Sequence, residues 1–166
     1  DSAGTATGSA SDNNGGSGVS VLNNTAVSTF TCPGSGSQTV NEISSDLHLS
    51  TGTANVRCAI YSSDGSTLIA QGTGAVALSG AADSWQGHIG QANITPNPAT
   101  LTGGTQYILI ASASGGSGTT NTDHADSTAN SLKFDGTDRT GTGFSGALPA
   151  GTTGNPLWPV RVGLAD

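Results

Sequence analysis

Asp123, His124, Asp126, Asp135 and Asp138 lie close together in NTDHADSTAN and the nearby DGTDRTG. Carboxylate and amide oxygens are hard ligands that suit calcium. Asp123, Asp126, Asp135 and Asp138 are therefore candidate calcium-binding residues. The spacing and closing Glu of an EF-hand are missing, and Asp commonly bonds its own backbone in turns. The same residues thus also read as a solvated turn cluster. The chain has three histidines, His48, His88 and His124, and many serines. None of the serines sits in G-x-S-x-G, and H-E-x-x-H does not occur. A carboxylate pair for glycoside hydrolysis would have to use the lone Glu42 with an Asp. Nothing in the pattern selects one, so no catalytic residue is assigned and the chain reads as a non-enzyme.

Cys32 and Cys58 are the two cysteines. Neither has another Cys or a His at zinc-ligand spacing. In an oxidising compartment the expectation is one disulfide, contributing about 3–4 kcal/mol by loop closure; the other reading is two buried thiols. Trp85, Trp158, Tyr61 and Tyr107 are the aromatics that could serve a sugar site, where an exposed ring works beside Asn, Asp or Gln. With so few aromatics, the core competes for each. Trp85 and Trp158 are the candidate glycan or interface residues. Asn23-Asn24-Thr25 and Asn93-Ile94-Thr95 match the N-glycosylation acceptor pattern, which makes Asn23 and Asn93 candidate modification sites.

The elements that must hold these residues are strands. From Ala54 to Tyr61, ANVRCAIY alternates: Val56, Cys58 and Ile60 share one face, and Arg57, Ala59 and Tyr61 the other. SSDGS then predicts a turn at Asp64-Gly65, and TLIAQ completes a hairpin over 54–71. TQYILIASA (105–113) has two apolar faces and reads as a central strand. Further strands are expected within 19–30, at 40–50, 75–78, 84–89 and 131–134, and near the C-terminus. Near that end Val160, Val162 and Leu164 share a face. In the strand at 84–89, Trp85, Gly87 and Ile89 alternate with Gln86 and His88, and Gly87 suggests a bulge or a close backbone approach. ITPNPATLTGG reads as a rigid polar connection. No stretch shows apolar spacing of a helix, and Gly and β-branched residues disfavour one. Short strands with Gly-rich turns imply an all-β, two-sheet β-sandwich of jelly-roll type. A β-helix would need a short internal repeat, which is absent.

Residues 1–18, DSAGTATGSASDNNGGSG, are too small and polar to build a core. They read as an N-terminal arm, flexible or held by a neighbouring subunit, ahead of one sandwich domain over 19–166. A start at Asp1 fits a product from which a leader has been removed.

Composition narrows function. Asp, Glu, Lys and Arg make up 9% of the chain, against about 25% in ordinary soluble domains. The net charge is −7, and the four bases, Arg57, Lys133, Arg139 and Arg161, do not cluster. That argues against nucleic acid and against an acidic membrane surface as partner. No apolar run reaches membrane-spanning length, so no membrane insertion is expected.

Leu47 to Gly72 (LHLSTGTANVRCAIYSSDGSTLIAQG), the Trp85 strand and Thr100 to Ala113 (TLTGGTQYILIASA) together resemble the jelly-roll-like β-sandwich modules of phage structural proteins and bacterial surface proteins. The resemblance implies a sandwich that decorates a capsid, builds a tail or fibre, or binds glycans, and it brings no catalytic residues. The combined expectation is a structural subunit of an extracellular filament or virion, assembling with copies of itself through strand edges and the arm. An extracellular carbohydrate-binding module is the alternative. No cofactor is expected beyond the candidate calcium.

Overall fold

In a computed structural model of the chain, the described residues are 6–9, 24–46, 48–49, 53–79, 85–114, 120–121, 132–134, 139–148, 152–154 and 160–165. The strands at 6–9, 85–88 and 160–161 are described by backbone path and register.

The strands in chain order are β1 (Ala6–Ser9), β2 (Asn24–Thr31), β3 (Ser37–Asp46), β4 (His48–Leu49), β5 (Thr53–Ser62), β6 (Leu68–Gly72), β7 (Val76–Ser79) and β8 (Trp85–Gly90). After a single 3-10 turn at Gln91–Asn93 come β9 (Ile94–Thr95), β10 (Thr100–Thr102), β11 (Gln106–Ser114), β12 (Thr120–Asn121), β13 (Leu132–Phe134), β14 (Thr152–Gly154) and β15 (Val160–Leu164). The chain is all-β, as its composition predicts, and no helix among the described residues is long and apolar enough to cross a membrane.

Two antiparallel sheets carry the fold. One runs β1-β15-β3, with β8 and β10 pairing end to end along the far edge of β3. The other runs β2-β11-β5-β6-β9, and β7 follows β6 along the same edge of β5. The pairing is nested: β1 with β15, β2 with β11, β3 with β8 and β10, and β5 with β6 and β7. A long antiparallel ribbon wrapped into two facing sheets gives this order, which is that of a jelly roll. Two short pairs, β12 with β4 and β13 with β14, stand apart from the main sheets.

The core lies between the sheets. Val40 and Ile43 of β3, Ile89 of β8, Leu101 of β10, and Val162 and Leu164 of β15 meet Val56, Cys58 and Ile60 of β5 and Leu109 and Ala111 of β11 in one buried cluster. Each large aliphatic side chain taken out of water contributes about 1.5–3 kcal/mol. The alternation in ANVRCAIY is therefore realised, with Val56, Cys58 and Ile60 facing inward. β11 is central and buried along both faces from Tyr107 to Ser114.

The 54–71 hairpin forms around the expected Asp64-Gly65 turn. Asp64 accepts hydrogen bonds from the Ser62 hydroxyl, the Ser66 amide (3.0 Å) and the Ser66 hydroxyl (2.8 Å). These donors favour the carboxylate and hold its pKa at about 2.

Two expectations are corrected. The supposed connection ITPNPATLTGG contains β9 and β10, and Ile94, Ala99 and Leu101 are buried. Proline hid the short pairings, which occupy the residues before and after the Pro96 and Pro98 pair. The second correction concerns Cys32 and Cys58, which are separate buried thiols with no disulfide between them. Topology explains it. The Cys32 amide donates to the Thr105 carbonyl, just before β11 and on the β2 side, whereas Cys58 lies opposite Ala111, across the other edge of β11. Six residues along a strand span about 20 Å, and a disulfide needs Cα atoms within about 7 Å. The Cys32 thiol is pushed up in pKa by burial and points to the Pro33 carbonyl at 3.8 Å.

Alkylation in denaturant without reductant is therefore expected to label both cysteines, and reductant is expected to leave the native melting temperature unchanged. Mass spectrometry and thermal melts check this; a blocked pair would restore the disulfide.

Candidate functional site

The two sheets present different outer faces. On the sheet built on β5 and β11, Ala59, Tyr61, Ile108 and Ile110 form a second buried cluster with Phe144, and Leu68 and Leu148 pack beside it. The segment 139–148 crosses this face as a strap. Gln71 grips it from below: its Nε2 donates to the Phe144 carbonyl (3.0 Å) and its Oε1 accepts from the Phe144 amide (2.9 Å). Phe144 meets Tyr61 edge-on at 6.4 Å, and the Arg139 guanidinium lies 5.8 Å from the Phe144 ring centre. The Leu148 amide donates to the Gly65 carbonyl (2.8 Å), tying the strap to the hairpin turn.

Arg57 is the charge under this strap. It lies mid-strand in β5, 8% exposed. Its Nε donates to the Gly72 carbonyl (3.0 Å) and its Nη2 to the Thr73 carbonyl (3.3 Å). Those carbonyls sit where the chain leaves β6 before starting β7. The guanidinium thus joins two strand segments that follow each other along one edge of β5. Burial pulls its pKa below the ordinary value. Gly143, at φ +80°, crosses directly above; a Cβ there would meet Nη2 at 2.8 Å. Opposite Arg57 on β11 is Ser112, whose hydroxyl accepts from the Arg139 amide (3.0 Å), and the Ser114 and Thr140 hydroxyls are hydrogen-bonded to each other. In sequence Arg57 reads only as one of four scattered bases on the face of Ala59 and Tyr61. A cation among small and apolar strand residues is the signal that marks a buried staple.

On the other sheet, the outward positions of β3 carry polar residues, of which Ser44 is fully buried. Ile43 and Val162 are register partners in the core, which leaves Glu42 and Ser44 on the outward side of β3. The Ser44 hydroxyl donates to Glu42 Oε1 (3.0 Å). Arg161 is the register partner of Ser44, and Gly163 that of Glu42. Between Ile43 and Ser45 the pairing with β8 jumps from Ile89 to Gln86, so β8 holds one extra residue around Gly87 and His88. This is the bulge that Gly87 suggests. Strict alternation then fails, because one inserted residue exchanges the faces beyond it. Trp85 pairs with Asp46, at a register position of the Glu42 and Ser44 face rather than that of Ile89.

The other candidates separate clearly. Tyr61 and Tyr107 are buried, and the Tyr107 hydroxyl accepts from the Thr102 amide (2.8 Å), so neither is an exposed sugar platform. Asn93 is exposed at the end of the 3-10 turn. Asn23, Asp123, His124, Asp126, Asp135, Asp138 and Trp158 lie outside the described residues, as does most of the 1–18 arm. Among the described residues, no three of His, Cys, Asp and Glu gather as a metal site. Comparison of the chain with protein-family models, curated proteins and solved structures finds no match.

The staple predicts a specific fragility. Arg57→Ala leaves the buried Gly72 carbonyl without this donor and removes a second, part-buried bond to Thr73, and it is expected to cost about 1–3 kcal/mol. Arg57→Lys keeps the charge, but it lacks the fork that reaches both oxygens, so it is expected to recover only part of the loss. Gly143→Ala is expected to destabilise in the same direction, through its backbone conformation and its contact with Arg57. Urea denaturation of the three variants measures the order, and a wild-type midpoint for Arg57→Ala would refute the staple.

Proposed function

We propose that the protein is a non-enzymatic structural subunit of an extracellular filament or virion, a fibre, tail or capsid-decoration component that assembles through strand-edge and arm contacts. The observation that carries this reading is β1. Four residues from within the N-terminal arm occupy the first position of the jelly roll, at a sheet edge, with β15 as their sheet neighbour among the described residues. An edge strand offers main-chain donors and acceptors to a further strand, a mode of recognition that needs no charged side chain. The sparse charge of the chain favours this reading, because little like-charge repulsion opposes close packing of copies. Deleting residues 1–18 is expected to leave the core packed between the sheets and to abolish ordered assemblies at high concentration. Light scattering and electron microscopy read the outcome, and equally abundant assemblies from the truncated chain would sink the arm's role.

A second reading, a carbohydrate-binding module, is favoured by the β8 bulge. It puts Trp85 opposite Asp46, at register positions on the same side of the sheet as Glu42, and sugar sites combine an aromatic ring with carboxylates and other polar groups. Under this reading Trp85→Ala stays folded by circular dichroism and loses retention on a glycan array that retains the parent chain. An array that retains neither protein removes it.

A further inference from the structure

The register of β1 on β15 carries a more definite statement about how copies join. Ala6 lies opposite Gly163, Thr7 opposite Val162, Gly8 opposite Arg161 and Ser9 opposite Val160. β15 is held independently on its other edge by β3, from Val160–Ser45 to Leu164–Val40. Its place in the sheet therefore does not depend on β1. β1 itself, Ala-Thr-Gly-Ser, has no charge and no side chain larger than Thr. Its sheet pairing is a matter of main-chain hydrogen bonds, which any strand of the same sequence reproduces. Residues 10–23 separate it from β2, a stretch that reaches up to about 48 Å when extended. A compact chain of this length has a radius of gyration of only about 15 Å, so β1 has the reach to lie on a neighbour.

We infer that β1 is an exchangeable strand: residues 6–9 of one copy pair with β15 of the next in the register that they have on their own β15. This rests on the structural-subunit reading and deepens it by naming both halves of the contact. The bonds lost within one chain are remade between two, so exchange is limited by the entropy of bringing copies together and is favoured by high local concentration. Donor and acceptor are different surfaces, and each copy has one of each. The contact is therefore head-to-tail, and it propagates as an open filament unless its rotation closes a ring.

The test uses the full chain. Gly8→Cys chains and Arg161→Cys chains are unfolded together, refolded as a mixture at the concentration that gives assemblies, and oxidised. Buried Cys32 and Cys58 stay out of reach in the native fold. The expected result is a two-chain species on a non-reducing gel, with the 8–161 link found by peptide mapping. It should form roughly tenfold or more above a mixture of Gly8→Cys with Thr73→Cys, an exposed position on the other sheet. A double variant, Gly8→Cys with Arg161→Cys, reports the competing closed form as a link within one chain. If the mixture links no more than the Thr73 control while the double variant links internally, exchange is overturned. Light scattering on the same samples separates the two claims. Large particles with only internal links overturn exchange and leave the structural-subunit reading standing; monomers alone at every concentration overturn both.

Discussion

The fold depends on burying both faces of one strand pair. β5 and β11 lie side by side from Asn55–Ser114 to Ser62–Tyr107, and apolar residues occupy both sides of the ribbon. The inner side is covered by the opposite sheet. The outer side is covered by the 139–148 strap, with Phe144 set against Tyr61 and Gln71 holding the strap's backbone. A continuous strand along the outer edge of β5 would have left Arg57 without acceptors. Instead the edge is split into β6 and β7, and the carbonyls at the split, Gly72 and Thr73, meet the guanidinium. Gly143 follows from the same arrangement, because only a residue without Cβ passes over that group.

A second close approach fixes the end of the sandwich. The turn after Cys32 and the turn at Gly103-Gly104 meet backbone to backbone. The Gly103 amide donates to Gly36 (2.7 Å) and the Gly104 amide to Cys32 (2.8 Å), while a Cβ on Gly103 would lie 2.6 Å from the Gly34 carbonyl oxygen. One turn leads from β2 into β3 and the other from β10 into β11, so the contact pins both sheets at one end. The high glycine content that reads in sequence as small-residue filler is, at this position, what lets two main chains touch.

The central strands are legible in sequence because their burial follows a period of two. ANVRCAIY and TQYILIASA each specify their own faces, and Asp64-Gly65 specifies its own turn. The elements that sequence conceals are those set by pairing rather than by side chains. β10 has one buried residue, Leu101, in three, too little to show alternation, and two prolines precede it. The β8 bulge exchanges the faces of Trp85 and Ile89 through a single inserted residue, which no periodic reading contains. The disulfide expectation fails for a related reason: Cys32 and Cys58 do both face the core, yet β11 separates them, and that separation exists only in the topology. β1 is concealed most completely, since its pairing with β15 depends on main-chain bonds that Ala-Thr-Gly-Ser does not advertise.

The nested pairing also ranks the strands by what their departure would cost. Removing β5 or β11 would open both buried clusters, and removing β3 would free β15, β8 and β10 at once. β1 is the outermost rung: among the described residues it is paired on one edge, to a strand that β3 already holds. Local stability within a fold falls where few apolar contacts back the hydrogen bonds. By that criterion the edge pairings, β1 with β15 and β9 with β6, open at lower cost than the β5–β11 pairing, which both buried clusters back.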